Sequence, residues 1–221
     1  MKTLLPLISA LAHAATTVLF DALSPPACAA CDQPIPSRQV FCASCAGTIV
    51  RDECRADGMI AFARFGGAVA MALKRFKYEE RADLARPLGH LLRRAVVDAG
   101  VHADIVVPVP LHPRRLAERG YNQSALLARA VAEQLDVPFA PRALERQRQT
   151  AQQARLGRAE RLVNMAEAFD VRGKRAVQSR IVLLVDDVLT TGATLLACRE
   201  ALERAGAAEV KSVCLARAEH S

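Results

Sequence analysis

The sequence contains no tryptophan, only two tyrosines and only seven phenylalanines in 221 residues. Aromatics make up 4% of the chain against 52% hydrophobic residues overall, so Ala, Leu and Val must fill the core. Lysine is scarce as well, five against 25 arginines. The positive charge therefore sits on planar forks that suit phosphate and carboxylate oxygens, with a solvated arginine-rich surface as the plainer reading. No uncharged apolar run reaches the ~18 residues of a membrane-spanning helix. No repeat of solenoid length is present either. The chain's Thr- and Gly-rich turn is not followed by Gly-Lys-Ser/Thr, which excludes a Walker phosphate loop.

What is present is organised around the stretch from Val182 to Thr194. Val182-Leu183-Leu184-Val185 reads as a buried strand. Asp186 and Asp187 stand at its end, and Thr190-Thr191-Gly192-Ala193-Thr194 forms a turn into an Ala/Leu-rich helix, Leu195 to Ala205. In an open parallel sheet, ligands bind just beyond the carboxyl ends of the strands. Backbone N–H groups at a helix start hold an anion, Gly192 allows close approach, and the Thr hydroxyls add donors. The two carboxylates would repel a phosphate but suit sugar hydroxyls, or Mg2+ shared with substrate phosphates. The expected ligand carries a phosphate, a diol and a metal, as a ribose 5-phosphate does. Asp186-Asp187-Val188-Leu189-Thr190-Thr191-Gly192-Ala193-Thr194 resembles the phosphoribosyl-pyrophosphate (PRPP) loop of type I phosphoribosyltransferases. An ordinary strand-turn-helix with a capping Thr is the plainer alternative.

Charge and cysteine divide the chain. Residues 1–60 carry 4 basic and 5 acidic side chains, and the remainder carries 26 and 18, within a total of +7. That excess fits anionic ligands, nucleotide or nucleic acid, without choosing between them. Seven cysteines would suit a secreted chain, but their spacing argues otherwise. Cys28-x2-Cys31 and Cys42-x2-Cys45 place four thiolates around one tetrahedral centre, the pattern of a structural zinc ribbon with no open coordination position. Two disulfides or four free thiols are the alternatives. Cys54 has no partner in the pattern, and Cys198 and Cys214 read as small buried hydrophobes. Ahead of the knuckles, Leu4, Leu7, Ile8, Leu11, Ala15, Val18 and Leu19 recur at helical spacing. That predicts an amphipathic helix rather than a signal peptide cut after Ala14, because the pattern continues to Leu23 before Pro25-Pro26 stops it. The expected division is residues 1–58 for helix and zinc ribbon, and residues 59–221 for a helical lead-in and an α/β domain.

Ile60 to Ala99 reads as mostly helical, with Leu84, Leu88, Leu91, Leu92 and Val96 as the buried face of a second helix. Lys74-Arg75-Phe76-Lys77-Tyr78 could hold single-stranded nucleic acid by charge and stacking, or simply bury Phe76 and solvate the cations. Asp104 to Pro110 predicts another buried strand, and Leu111-His112-Pro113-Arg114-Arg115 a turn whose cations suit pyrophosphate. His112 reads as a turn residue rather than an acid or base. Arg119-Gly120-Tyr121-Asn122-Gln123-Ser124 offers ligand contacts ahead of a helix from Ala125 to Leu135, with Ser124 as a plain cap in the alternative. Residues 144–161 hold Arg146, Arg148, Thr150, Gln153 and Arg161 with little apolar periodicity. They predict a cationic flap that closes over a leaving pyrophosphate. Gly173 to Ser179 reads as a polar turn, Gly206 as a helix stop and Val210 to Leu215 as a last strand. Alternating strands and helices predict an α/β fold with a parallel sheet flanked by helices.

Taken together, the chain resembles the ComF family, a zinc-ribbon segment followed by a phosphoribosyltransferase-like domain. The resemblance rests on Pro108-Val109-Pro110-Leu111-His112, Arg119 to Ser124, Arg146-x-Arg148-x-Thr150-x-x-Gln153, Arg161-x-x-Asn164 and the PRPP-like loop. Tyr121 stands where the family usually has Phe, and the turn after Gly173 is longer than typical. The resemblance implies natural transformation: handling incoming single-stranded DNA in the cytoplasm beside an uptake helicase and other transformation proteins. No established transferase reaction comes with it. Three functions follow as expectations: a DNA-uptake factor on a transferase scaffold, an active phosphoribosyltransferase, and a PRPP or nucleotide sensor without chemistry. The expected ligand contacts are Asp186, Asp187, Thr190, Thr191, Gly192, Ala193, Thr194, Arg114, Arg119, Asn122 and Gln123. Arg146 and Arg148 are the catalytic candidates, Cys28, Cys31, Cys42 and Cys45 the Zn2+ ligands, and Mg2+ accompanies the PRPP-type ligand.

Overall fold

The computed structural model describes residues 26–36, 39–52, 58–146 and 168–218. The expected amino-terminal helix, Cys54, and the stretch carrying Arg148, Thr150, Gln153, Arg161 and Asn164 lie outside them. After a four-residue helix in the second cysteine knuckle (α1, Ala43–Ala46), the chain runs β1 (Met59–Arg64), α2 (Gly67–Tyr78), α3 (Ala85–Asp98), β2 (Ile105–Pro108), α4 (Pro113–Arg119) and α5 (Gln123–Leu135). It continues with β3 (Leu144–Arg146), β4 (Phe169–Val171), β5 (Ile181–Val185), β6 (Val188–Leu189), α6 (Ala193–Arg204) and β7 (Glu209–Arg217). The main sheet has the order β1-β7-β5-β2 with every pair parallel, and β6 adds to β7 beyond the end of β5. β3 and β4 form a separate antiparallel pair.

A parallel sheet must be covered on both faces, and its strands alternate between them with a period of two. Val106, Leu183, Val185, Val213 and Leu215 pack on one side with Phe76, Leu88, Leu92 and Leu127 of the helices. Ile105, Val107, Val182, Leu184 and Cys214 pack on the other, against Leu195, Cys198 and Leu202 of α6 and against β3 and β4. α3 and α5 cross closely enough that a Cβ on Gly89 would meet the Cβ of Ala130 at 2.5 Å, so only glycine fits there. The two cysteine knuckles share the first of these cores: Cys28, Ala29, Ala30, Ile35, Phe41 and Cys42 pack in one cluster with Leu73 and Phe76.

Four local expectations need correction. Met59–Arg64 is a strand, not the start of a helix; it pairs along β7 from Met59↔Ser212 to Arg64↔Arg217. Its residues Ile60, Ala61, Phe62 and Ala63 are all buried, and such a run lacks the alternation that would mark a strand in sequence. The segment after β2 is not a bare turn but α4: Pro113 opens it, the His112 ring accepts the Arg114 amide at 3.2 Å, and Gly120 closes it at φ 76°. α5 begins at Gln123, because Asn122 rather than Ser124 is the cap and accepts from the Ser124 amide at 3.1 Å. Residues 144–146 belong to a strand rather than to a flap, held by β4 at Leu144↔Val171. Within α3, Leu91 is half-buried while Leu88, Leu92 and Val96 are fully covered.

Candidate functional site

Because the sheet is parallel, its carboxyl-terminal loops converge at one end. A cavity of about 750 Å3 opens there. The segment after β2 supplies Val109, Pro110 and Leu111; the stretch after β5 supplies Asp186, Asp187, Val188, Thr190 and Thr194; the end of α2 and the turn after it supply Lys77, Tyr78 and Glu80. α4 and the start of α5 contribute Arg115, Glu118, Arg119, Tyr121 and Ser124, and Phe65 and Arg146 complete the wall.

The acidic pair interrupts a strand line. β5 ends at Val185, and after two intervening residues β6 resumes pairing with β7 at Val188↔Ala216. Across the gap the Asp186 amide donates to the Val213 carbonyl at 3.0 Å and the Leu215 amide to the Asp187 carbonyl at 3.1 Å. The backbone is thus paired while the carboxylates turn to the cavity. Asp186 Oδ1 accepts from the Ser124 hydroxyl at 2.8 Å and from the Asp187 amide at 2.9 Å. Asp187 Oδ1 pairs with Lys77 Nζ at 2.9 Å.

Asp186 keeps some exposure but is densely surrounded. That desolvation, together with the Asp187 charge, pushes it up to about 7 against the pull of Ser124, the Asp187 amide and Lys77. The folded state therefore holds this proton more tightly than the unfolded chain, where an aspartate titrates near ~3.9. The resulting stabilisation is full below pH ~4 and is lost as the pH rises through about 7. Urea unfolding of the ligand-free protein should show stability declining across that window, and Asp186→Asn should flatten the decline. An unchanged slope in the variant would refute this assignment.

The turn that follows leads into α6. Gly192 sits at φ 76°, a conformation costly for a side chain, immediately before α6. Thr191 Oγ1 accepts the Ala193 amide at 3.5 Å. The amides of Thr190, Thr191 and Gly192 have no acceptor among the described residues. Free N–H groups, a helix start, and Thr190 and Thr194 on the cavity wall are groups that can hold an anion. Two arginines face it with their own supports. Arg119 lies 5.0 Å over the Tyr78 ring and donates to Tyr78 Oη at 3.3 Å and to Gln123 Oε1 at 3.1 Å. Arg146 lies 5.5 Å over the Phe169 ring. Burial pushes its pKa down, yet a guanidinium stays charged.

Of the residues expected from sequence, Asp186, Asp187, Thr190, Thr194, Arg119 and Arg146 line the cavity. Thr191, Gly192 and Ala193 shape the turn behind it. Arg114 is exposed and pairs with Glu118 at 3.0 Å, and its neighbour Arg115 lines the cavity instead. Asn122 caps α5 and donates to the Val109 carbonyl at 3.0 Å, while Gln123 is buried beneath Arg119. Sequence reasoning missed Lys77, Tyr78, Ser124 and Phe65. The basic-aromatic run did contain the first two. Phe76 is fully buried as its plainer reading had it, but Lys77 is turned onto Asp187 rather than into solvent. The Tyr121 hydroxyl, absent from a Phe, donates to the Phe76 carbonyl and so ties α5 to the end of α2.

Away from the cavity, the Sγ atoms of Cys28, Cys31, Cys42 and Cys45 all lie within 4.8 Å of one another. Cys31 Sγ and Cys42 Sγ are 3.8 Å apart. That is the edge of a tetrahedron built on Zn–S bonds of ~2.3 Å, and far longer than a ~2.05 Å disulfide. Burial pushes the Cys28 thiol up, but amides of Cys42, Ala30 and Cys31 outweigh it and bring it down to about 6. Four soft donors, closed around one point, fit a structural Zn2+.

Residues 122–221 match the family model described as the phosphoribosyl transferase domain. The chain is 32% identical over 199 residues to Competence protein F of Haemophilus influenzae, covering 87% of this chain and 85% of that protein. It is 35% identical over 164 residues to DNA utilization protein YhgH of Escherichia coli K12, with 72% and 71% covered. Competence protein ComFC of Streptococcus pneumoniae is 38% identical over 112 residues, 50% of this chain and 47% of that one. No helix among the described residues is long and apolar enough to cross a membrane.

Proposed function

The chain belongs to the ComF family of competence and DNA-utilization proteins, and from that membership we propose that it binds a PRPP-type sugar phosphate and serves DNA uptake by handling single-stranded DNA in the cytoplasm. The observation that carries the ligand reading is the acidic pair on the same cavity wall as Thr190 and Thr194, at the turn whose amides at residues 190–192 have no acceptor among the described residues. In this reading the 5-phosphate lies on the amides of Thr190, Thr191 and Gly192, and the ribose diol donates to Asp186 and Asp187. A pyrophosphate meets Arg115, Arg119 and Arg146, which are charge-assisted donors of the right geometry. Mg2+ demands six oxygens in near-octahedral array. The acidic pair and Thr194 fit it only together with ligand oxygens, since Lys77 already neutralises one carboxylate. When bound it would screen pyrophosphate charge. The knuckle thiolates would hold Zn2+ in a folding role.

The test is a thermal-shift titration with PRPP and Mg2+, followed by titration with an oligo-dT strand. A PRPP-dependent rise in melting temperature of several degrees is expected, as is DNA affinity that falls steeply with added salt. No shift at millimolar PRPP would sink the ligand reading. DNA affinity indifferent to salt would sink the electrostatic one.

One observation favours catalysis as a second reading. The cavity extends from the acidic pair to Phe65 and Tyr78, which are 49% and 67% exposed and could face an acceptor. A nitrogen nucleophile would attack C1 of PRPP, forming the C–N bond as the C1–O bond breaks and pyrophosphate departs with the bonding pair. The arginines would stabilise the departing charge. Pyrophosphate release across a panel of bases and amines is the measurement; none released with any acceptor refutes the reading.

A further inference from the structure

Arg75 and Lys77 leave the last turn of α2 on opposite sides of the buried Phe76. Lys77 reaches the ligand cavity, where its ammonium pairs with Asp187 at 2.9 Å. Arg75 reaches the cysteine knuckle. Its Nη1 donates to the Ala29 carbonyl at 3.2 Å, its Nη2 pairs with Asp32, and its Nε donates to Glu79 at 3.2 Å. Asp32 immediately follows the cluster residue Cys31 and adopts φ 60°. A second guanidinium, Arg81, holds it at 2.8 Å from just beyond the helix. The Arg75 side chain is only 12% exposed and its bond to the Ala29 carbonyl is partly buried, whereas Asp32 and Glu79 are about half exposed, so the geometry of the fork rather than shielding from salt makes the anchor.

A helical turn is rigid and about 10 Å across with its side chains. Force applied on the Arg75 side is therefore felt by Lys77 and by the adjacent Tyr78. The Ala29 carbonyl and Asp32 are positioned only while the knuckle keeps its shape. Resting on the ligand reading above, we propose that Arg75 is a positioning residue: it fastens the end of α2 to the cysteine knuckle and so holds Lys77 on Asp187, linking metal occupancy of the knuckle to ligand occupancy of the cavity. Linkage of this kind is reciprocal in affinity, so ligand must tighten metal binding by the factor by which metal tightens ligand binding.

The first test needs no ligand. The full-length protein is treated briefly with an N-hydroxysuccinimidyl acetate, and acetylation of Lys77 is compared with that of the exposed Lys74 by peptide mass spectrometry. With its ammonium held by Asp187 and its side chain only 19% exposed, Lys77 should react about fivefold more slowly than Lys74 in the metal-loaded protein. Arg75→Met, or removal of metal by a chelator, should bring the two rates within about twofold. The milder Asp32→Asn should move the ratio the same way while circular dichroism and zinc content stay at the wild-type level. A Lys77/Lys74 ratio unmoved by both substitutions and by chelation overturns the proposal. In a second arm, zinc release to a chromogenic chelator is timed with and without PRPP and Mg2+. Release should slow with PRPP in the wild type and not in Arg75→Met. If PRPP raises the melting temperature but leaves release unchanged, the linkage is wrong. If PRPP causes no thermal shift at all, the ligand reading has failed, and the acetylation ratio still decides the role of Arg75.

Discussion

Asp186→Asn combined with Asp187→Asn should abolish PRPP binding while leaving the fold intact. Each hydrogen bond from a sugar hydroxyl to a carboxylate contributes about 1.5–3 kcal/mol. Losing two such partners weakens binding by roughly 100- to 10,000-fold, beyond what a millimolar titration detects. The folded state loses far less. An asparagine oxygen still accepts from the Ser124 hydroxyl and the Asp187 amide, which now meet at Asp186 Oδ1. Removing the pair also removes the repulsion that raises Asp186. Against this stands the Lys77 ammonium, deprived of a partner but 19% exposed on the cavity wall. The opposed effects nearly cancel, and the melting temperature should stay within a few degrees of the wild type. Isothermal titration with PRPP and Mg2+, with circular dichroism as the control on folding, reads both outcomes. A double variant that folds and keeps PRPP affinity removes the acidic pair from the site.

Cys28→Ser should release the metal and unfold the knuckle. Cys28 is fully buried and shares one core with Ala29, Ala30, Ile35 and Phe41, which meet Leu73 and Phe76 of α2. A hydroxyl is a hard, un-ionised ligand and cannot replace a thiolate in a four-sulfur centre. Structural zinc is folding energy for a segment this small. Once the centre is lost, Ile35 and Phe41 lose the geometry that buries them, at about 1.5–3 kcal/mol for each large side chain. The melting temperature should fall by on the order of 10 °C, and plasma emission spectrometry should find no zinc. An undiminished metal content in a folded Cys28→Ser protein would contradict the assignment. By contrast, the exposed Cys31 contributes a ligand but little packing, so Cys31→Ser should lose metal with a smaller fall in melting temperature.

Other parts of the chain show where local reading stops. The strand ahead of Asp186 was plain in sequence because Ile181–Val185 is continuous, apolar and β-branched, as a strand covered on both faces must be. Met59–Arg64 obeys the same physics, yet its alanines gave it a helical look, and only pairing with β7 makes it a strand. Arg114 and Arg115 are neighbours in one turn of α4. Which of them meets the cavity depends on the helix phase, which the cap at His112 and the stop at Gly120 set.

The composition and two short patterns were enough to point to the groups that lie close together in the chain. Paired Cys-x2-Cys knuckles and the run from Asp186 to Thr194 carry their geometry within a few residues, because turn and cap conformations depend on near neighbours. Only the tertiary structure could decide who stands opposite. Lys77 reaches Asp187 across 110 residues of sequence and Ser124 reaches Asp186 across 62. Such meetings follow from strand order and from two faces of packed helices. Neither is encoded in any single stretch, because burial in a shared core is a property of the whole chain.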